Sequence, residues 1–119
     1  MLEGAITRSG SPAIPIEIQG VAYLAVIDAE FEGGLQLPAS LKGICNRTVV
    51  GKQSYELPDG SVIDRELYEV QIVLDDYLVS VKTQFEETEQ ILLGTDALQD
   101  YRLEIDFVAG TVVLERMTQ

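Results

Sequence analysis

Val21-Ala22-Tyr23-Leu24-Ala25-Val26-Ile27-Asp28-Ala29-Glu30-Phe31-Glu32-Gly33-Gly34 sets a carboxylate directly after an uninterrupted apolar run and follows it with a glycine pair. Such a run, bounded by turn signals, predicts a strand buried on both faces. The strand would deliver Asp28 close to the interior, where an ionised carboxylate is costly unless well hydrogen-bonded. Functional sites tolerate that cost, yet an aspartate that merely begins a surface loop has the same spacing. On spacing alone both readings stand.

Upstream, Ile14, Ile16 and Ile18 alternate with Pro15, Glu17 and Gln19, the period of a half-buried strand, and Gly20 punctuates. Downstream, Leu35 and Leu37 predict a short strand closed by Pro38, with at most a brief helical turn from Pro38 to Ile44. Extended stretches from Thr48 to Leu57 and from Ser61 to Leu74 flank Pro58-Asp59-Gly60, which is strong turn chemistry. Tyr68, Val70, Ile72 and Leu74 share one face, and Asp75-Asp76 fits a two-residue hairpin loop into Tyr77–Val81. Ile91-Leu92-Leu93 meets Gly94, after which Thr95 or Asp96 is expected to cap a short helix reaching about Tyr101. Leu103–Phe107 and Thr111–Leu114 pair naturally across Ala109-Gly110. A weak internal echo links the hairpin at Gly20, leading to Asp28, with the hairpin at Asp75-Asp76, leading to Gly94.

At 119 residues the chain has the size of one domain, taken as 1–119 with a core from about 14 to 115. The net charge of −12 argues against a nucleic-acid partner, which requires a basic footprint. With no histidine, Ser-His-Asp and Cys-His mechanisms have no imidazole base, and histidine-built zinc sites are excluded. Cys45 is the only cysteine, so no intrachain disulfide forms, and a cytoplasmic setting is expected. Without an imidazole to activate it, Cys45 is read as a small apolar packer. Met1–Ile6 has no basic region leading into an apolar one, and no run approaches the roughly 20 residues of a membrane span, so neither signal peptide nor membrane partner is expected. Glu86-Glu87-Thr88-Glu89 reads as a solvated loop. Carboxylates are the leading candidates to carry any hydrolytic chemistry.

Val26-Ile27-Asp28 followed by Phe31-Glu32-Gly33-Gly34-Leu35-Gln36-Leu37-Pro38 resembles the active-site segment of the retropepsin-like aspartic proteases, in particular their small stand-alone bacterial members. Ile91-Leu92-Leu93-Gly94-Thr95-Asp96-Ala97-Leu98 is similar to that family's second signature, aliphatics and a glycine opening a short helix. The likeness spans roughly Ile14 to Leu114. It implies an all-β closed barrel with one short helix near the C-terminus. Because the signature aspartate occurs once, it also implies a homodimer that pairs Asp28 with its symmetry mate. By the same resemblance the protein is an aspartic endopeptidase whose paired carboxylates share one proton and activate water. Leu57, Pro58, Asp59, Gly60 and Ser61 would be the flap over an extended peptide or unfolded polypeptide. Leu93, Gly94 and Asp96 would support the active-site loop. No cofactor and no metal are implied.

The family writes Asp-Thr-Gly where this chain writes Asp28-Ala29-Glu30. Ala29 has no hydroxyl to cross-link two loops, and Glu30 brings bulk and a further negative charge, with no compensating cation in the adjacent sequence. The alternative reading is therefore a dimeric pseudo-protease that binds peptides without cutting them. A hard cation held by Asp28 and Glu30 is a third reading, although carboxylates alone specify such a site poorly.

Overall fold

In the computed structural model, which describes residues 1–117, left-handed backbone conformations at Gly20, Gly60, Asp75, Asp76 and Gly110 fall where the sequence places turns, and a further one lies at Gly10, where no turn was expected. Thr118 and Gln119, the end of the expected single domain, lie outside the described residues. The strands are β1 Leu2–Ile6, β2 Pro12–Ile18, β3 Val21–Ile27, β4 Leu35–Pro38, β5 Arg47–Glu56, β6 Val62–Leu74, β7 Tyr77–Glu86, β8 Leu92–Leu93, β9 Tyr101–Asp106 and β10 Thr111–Arg116. Gln19-Gly20 turns β2 into β3, and Asp75-Asp76 turns β6 into β7, each with positive φ at both residues. That geometry matches the right-handed twist of the flanking strands.

The strands form one ten-stranded sheet in the order β5-β6-β7-β4-β8-β3-β2-β1-β10-β9. A further pairing of Glu17 with Val73 joins β2 to β6 and closes the run from β2 to β6 into a barrel. Ile14, Ile16 and Ile18 point inward as their alternation predicts, and meet Leu35, Leu37, Val70, Ile72 and Leu93 in one core. β3 and β8, the ends of the two echoing arms, lie side by side and parallel, with Ile27 opposite Leu93.

Three expectations are corrected. β3 is buried on one face only: Ala25 and Ile27 are inside, whereas on the opposite face Ala22 is exposed and Leu24 is 54% exposed. It sits between β2 and β8 in the sheet, and its outer side is open at Ala22 and Leu24 and partly covered at Val26. The expected helix is a 3-10 turn of Thr95–Leu98 with Gly94 at its N-cap and no side-chain cap, because backbone carbonyls of the Asp28 loop take its first N–H groups. Phe107 leaves the last hairpin at its turn and is 65% exposed. A second 3-10 helix, Ala39–Ile44, occupies the segment expected to form at most a brief helical turn.

Asp75 is the buried carboxylate of the fold, 6% exposed. One oxygen faces the N-terminal ammonium at 2.9 Å and the other accepts the Arg116 N–H at 3.1 Å. Burial pushes its pKa up, but these two bonds outweigh burial and hold the carboxyl below the ordinary aspartate value. Its stabilising contribution is thus complete above the unfolded-state pKa of about 3.9 and is lost as pH falls through the lower folded value. Asp75→Asn keeps a residue tolerant of positive φ and removes the charge together with one of the two accepting oxygens. Urea unfolding is expected to show a loss of about 1–2 kcal/mol at pH 7, shrinking toward pH 3. An equal loss at both pH values would show that the charge is not responsible.

Candidate active site

The loop from Asp28 to Gly34 connects β3 to β4, and both strands flank β8. The Val26 N–H donates to the Ile91 carbonyl at 2.9 Å and the Asp28 N–H to the Leu93 carbonyl at 3.0 Å, which fixes Asp28 at the end of the parallel pair. Asp28 is half-buried, and its Oδ1 accepts the Glu30 N–H at 3.0 Å. The Phe31 N–H closes the turn on the Asp28 carbonyl at 3.2 Å. Asp28 is therefore the carboxylate that the apolar run delivers to the sheet's end, partly shielded and locally hydrogen-bonded.

The far side of the loop is held by the second glycine signature. Gly94 N–H donates to the Gly34 carbonyl at 2.8 Å, Thr95 N–H to the Phe31 carbonyl at 2.9 Å, and Asp96 N–H to the Gly33 carbonyl at 3.1 Å. Close approach explains the glycines: a Cβ on Gly94 would lie 2.2 Å from the Gly33 carbonyl oxygen, and one on Gly34 2.4 Å from that of Lys82. Leu93 is fully buried between Ile27 and Leu35. Asp96 braces the loop through its backbone, whereas its exposed carboxylate caps nothing and borders a cavity with Tyr101 and Arg116. Phe31, whose carbonyl anchors Thr95, is the aromatic of the signature segment, two residues before the glycine pair, to which the sequence alone assigned no role of its own.

Ala29 and Glu30 are both exposed at the crest of the loop. Ion pairs among the described residues join Met1 to Asp75, Arg65 to Glu86 and Arg102 to Glu104, and none reaches Asp28 or Glu30. No group of three or more metal-ligating side chains converges among the described residues. Leu57, Pro58, Asp59, Gly60 and Ser61 form the exposed tip of the β5–β6 hairpin. The tip is held by its own bonds: Leu57 N–H to the Ser61 carbonyl at 2.8 Å, and Ser61 N–H and Oγ to Asp59 Oδ1 at 2.9 and 2.6 Å. Those bonds from Ser61 lower the Asp59 pKa. No hydrogen bond joins this tip to the Asp28 loop among the described residues. Cys45 is buried, its thiol donating to the Leu41 carbonyl at 3.2 Å, and burial pushes its pKa up, which suits a packing role.

No helix among the described residues is long and apolar enough to cross a membrane. No family model matches the chain, and no curated protein matches it in sequence. Solved structures do. A retropepsin-like aspartic protease from Rickettsia conorii aligns over 95% of this chain and 88% of its own, with a TM-score of 0.71 and 15% identity. The Simian Foamy Virus (mac) protease aligns over 73% of this chain and 91% of its own, with a TM-score of 0.61 and 14% identity. Likeness at such low identity is a likeness of backbone path, and on that measure the fold of this chain is retropepsin-like.

Proposed function

We propose that this single domain is an aspartic endopeptidase of the cytoplasm, working as a homodimer in which two Asp28 loops meet across a two-fold axis. The observation that carries the reading is Asp28 itself: half-buried at the end of a parallel strand pair, on a loop clamped by the N–H groups of Gly94, Thr95 and Asp96. Two such carboxylates share one proton. The ionised partner takes a proton from water as its oxygen attacks the scissile carbonyl carbon, and the protonated partner gives its proton to the carbonyl oxygen. Collapse of the tetrahedral species returns a proton to the leaving nitrogen. An extended peptide would lie beneath the Leu57–Ser61 tip and pair with backbone along the groove.

A second reading is favoured by Ala29 and Glu30. Without the threonine hydroxyl, and with a glutamate on each loop, the same dimer would hold peptides and leave them intact. Incubation with an unfolded polypeptide from pH 3.5 to 7, beside Asp28→Asn, separates the two. The peptidase reading expects fragments that vanish in the variant. Intact polypeptide at every pH, with binding retained, leaves the binding module. A protein that remains monomeric on sizing under the assay conditions would sink the shared dyad.

A further inference from the structure

Tyr101 and Arg116 are direct partners across the β9–β10 hairpin, so their side chains leave one face of the sheet together. The half-buried Arg116 guanidinium lies 4.6 Å from the centroid of the Tyr77 ring and 5.9 Å from that of Tyr101, an attraction that fixes its position. None of the ion pairs among the described residues uses it. Asp75 does not serve it, since its two oxygens are committed to the N-terminal ammonium and to the Arg116 backbone N–H. Tyr101 Oη, alone among the buried side-chain nitrogens and oxygens of the described residues, has no hydrogen-bond partner. Burial raises its pKa more than the neighbouring Arg116 lowers it, so it remains an O–H at neutral pH.

The two residues border a cleft of about 430 Å³, within the range of small-molecule sites. Its other charged residues are Glu69, Lys82, Asp96 and Asp100. Glu69 and Lys82 oppose each other across β6 and β7 and offset one another. Arg116 is then left facing Asp96 and Asp100, both signs in one cleft. A bare anion is repelled by the two aspartates and a bare cation by Arg116, whereas a ligand carrying both charges suits the set. We propose that this cleft binds a small zwitterion, a free amino acid or the two ends of a short peptide. Its carboxylate draws the Arg116 guanidinium toward the cleft and accepts hydrogen bonds from it and from the Tyr101 hydroxyl thus uncovered, and its ammonium faces Asp96 and Asp100. Side-chain rotamer changes of this kind are common on binding. Asp96 also lends its N–H to the Gly33 carbonyl, so the cleft backs onto the clamp of the Asp28 loop.

Two-dimensional NMR of the full chain at neutral pH, titrated with L-alanine and with L-alanyl-L-alanine to about 10 mM, tests the site. Saturable amide shifts are expected at 79–82, 96–101 and 116, and the ligand that saturates at the lower concentration identifies the source. The dipeptide amide and the N-acetyl dipeptide are each expected to bind about 10-fold more weakly, the effect of one lost charge-assisted hydrogen bond. Arg116→Gln, which keeps the backbone N–H to Asp75, is expected to weaken binding by about 10-fold or more. Tyr101→Phe is expected to weaken it about 3-fold or more while its urea midpoint stays at or above that of the wild type, because the hydroxyl has no partner to lose. No saturable shift with either ligand, equal affinity for the dipeptide amide, the same shifts from inorganic phosphate, or full affinity in Arg116→Gln or Tyr101→Phe would each overturn the proposal. It stands apart from the peptidase reading, and failed cleavage by the wild-type protein leaves it intact.

Discussion

Gly94→Ala is expected to cost about 2–4 kcal/mol of stability, the scale of overpacking against groups that cannot yield. The new methyl would lie 2.2 Å from the Gly33 carbonyl oxygen and 2.6 Å from that of Phe31. Both are backbone atoms, and both carbonyls accept hydrogen bonds from the 3-10 turn that Gly94 opens. Relief of the overlap therefore breaks the bonds that hold the Asp28 loop. Backbone strain is not the cause, since Gly94 has φ −98° and ψ 177°, a conformation open to any residue. Gly43→Ala is the control, because its Cβ would meet no atom within 4 Å. Urea unfolding of the two variants should separate them clearly. If Gly94→Ala unfolds with the free energy of the wild type, the loop does not rest on this residue.

The same crowding shows where sequence reasoning reaches and where it stops. Turns were legible because their chemistry is local: Asp75-Asp76 and Pro58-Asp59-Gly60 occupy the hairpin loops predicted from their composition. The alternation of Ile14, Ile16 and Ile18 was legible because burial follows the pleat. β1 was not. Gly4 interrupts the apolar alternation of Leu2 and Ile6, and only the finished sheet reveals why, since a Cβ there would lie 2.0 Å from the Ala13 carbonyl oxygen. β3 was over-read, because an unbroken apolar run says nothing about whether a second layer covers it. Asp28 stood out by contrast with the run before it. Its clamp did not, since Phe31 and Thr95 are 64 residues apart and meet through backbone atoms that every residue carries.

Ala29→Thr combined with Glu30→Gly is expected to raise peptide cleavage by about 100-fold, the loss that misplacement of catalytic groups by about 1 Å produces. The loop already follows its path with Ala and Glu in place: Asp28 Oδ1 receives the Glu30 N–H, and neither Ala29 nor Glu30 has positive φ. Glycine at 30 therefore retains that bond and removes only bulk and charge. In the proposed dimer it takes two carboxylates away from an axis that already holds two, in a loop that no cation reaches among the described residues. Threonine at 29 adds the hydroxyl that Ala29 lacks and gives each loop a donor toward its mate. The two changes act on one assembly, so their effects should exceed the sum of the single variants. Glu30→Gly alone should act chiefly at neutral pH, where four carboxylates repel most, and Ala29→Thr alone should act at all pH values. Measuring kcat/KM from pH 3.5 to 7 for the four proteins decides the matter. A double variant that dimerises and binds peptide yet cuts no faster than the wild type would show that these residues are not what limits catalysis, and the groove would then be a binding surface.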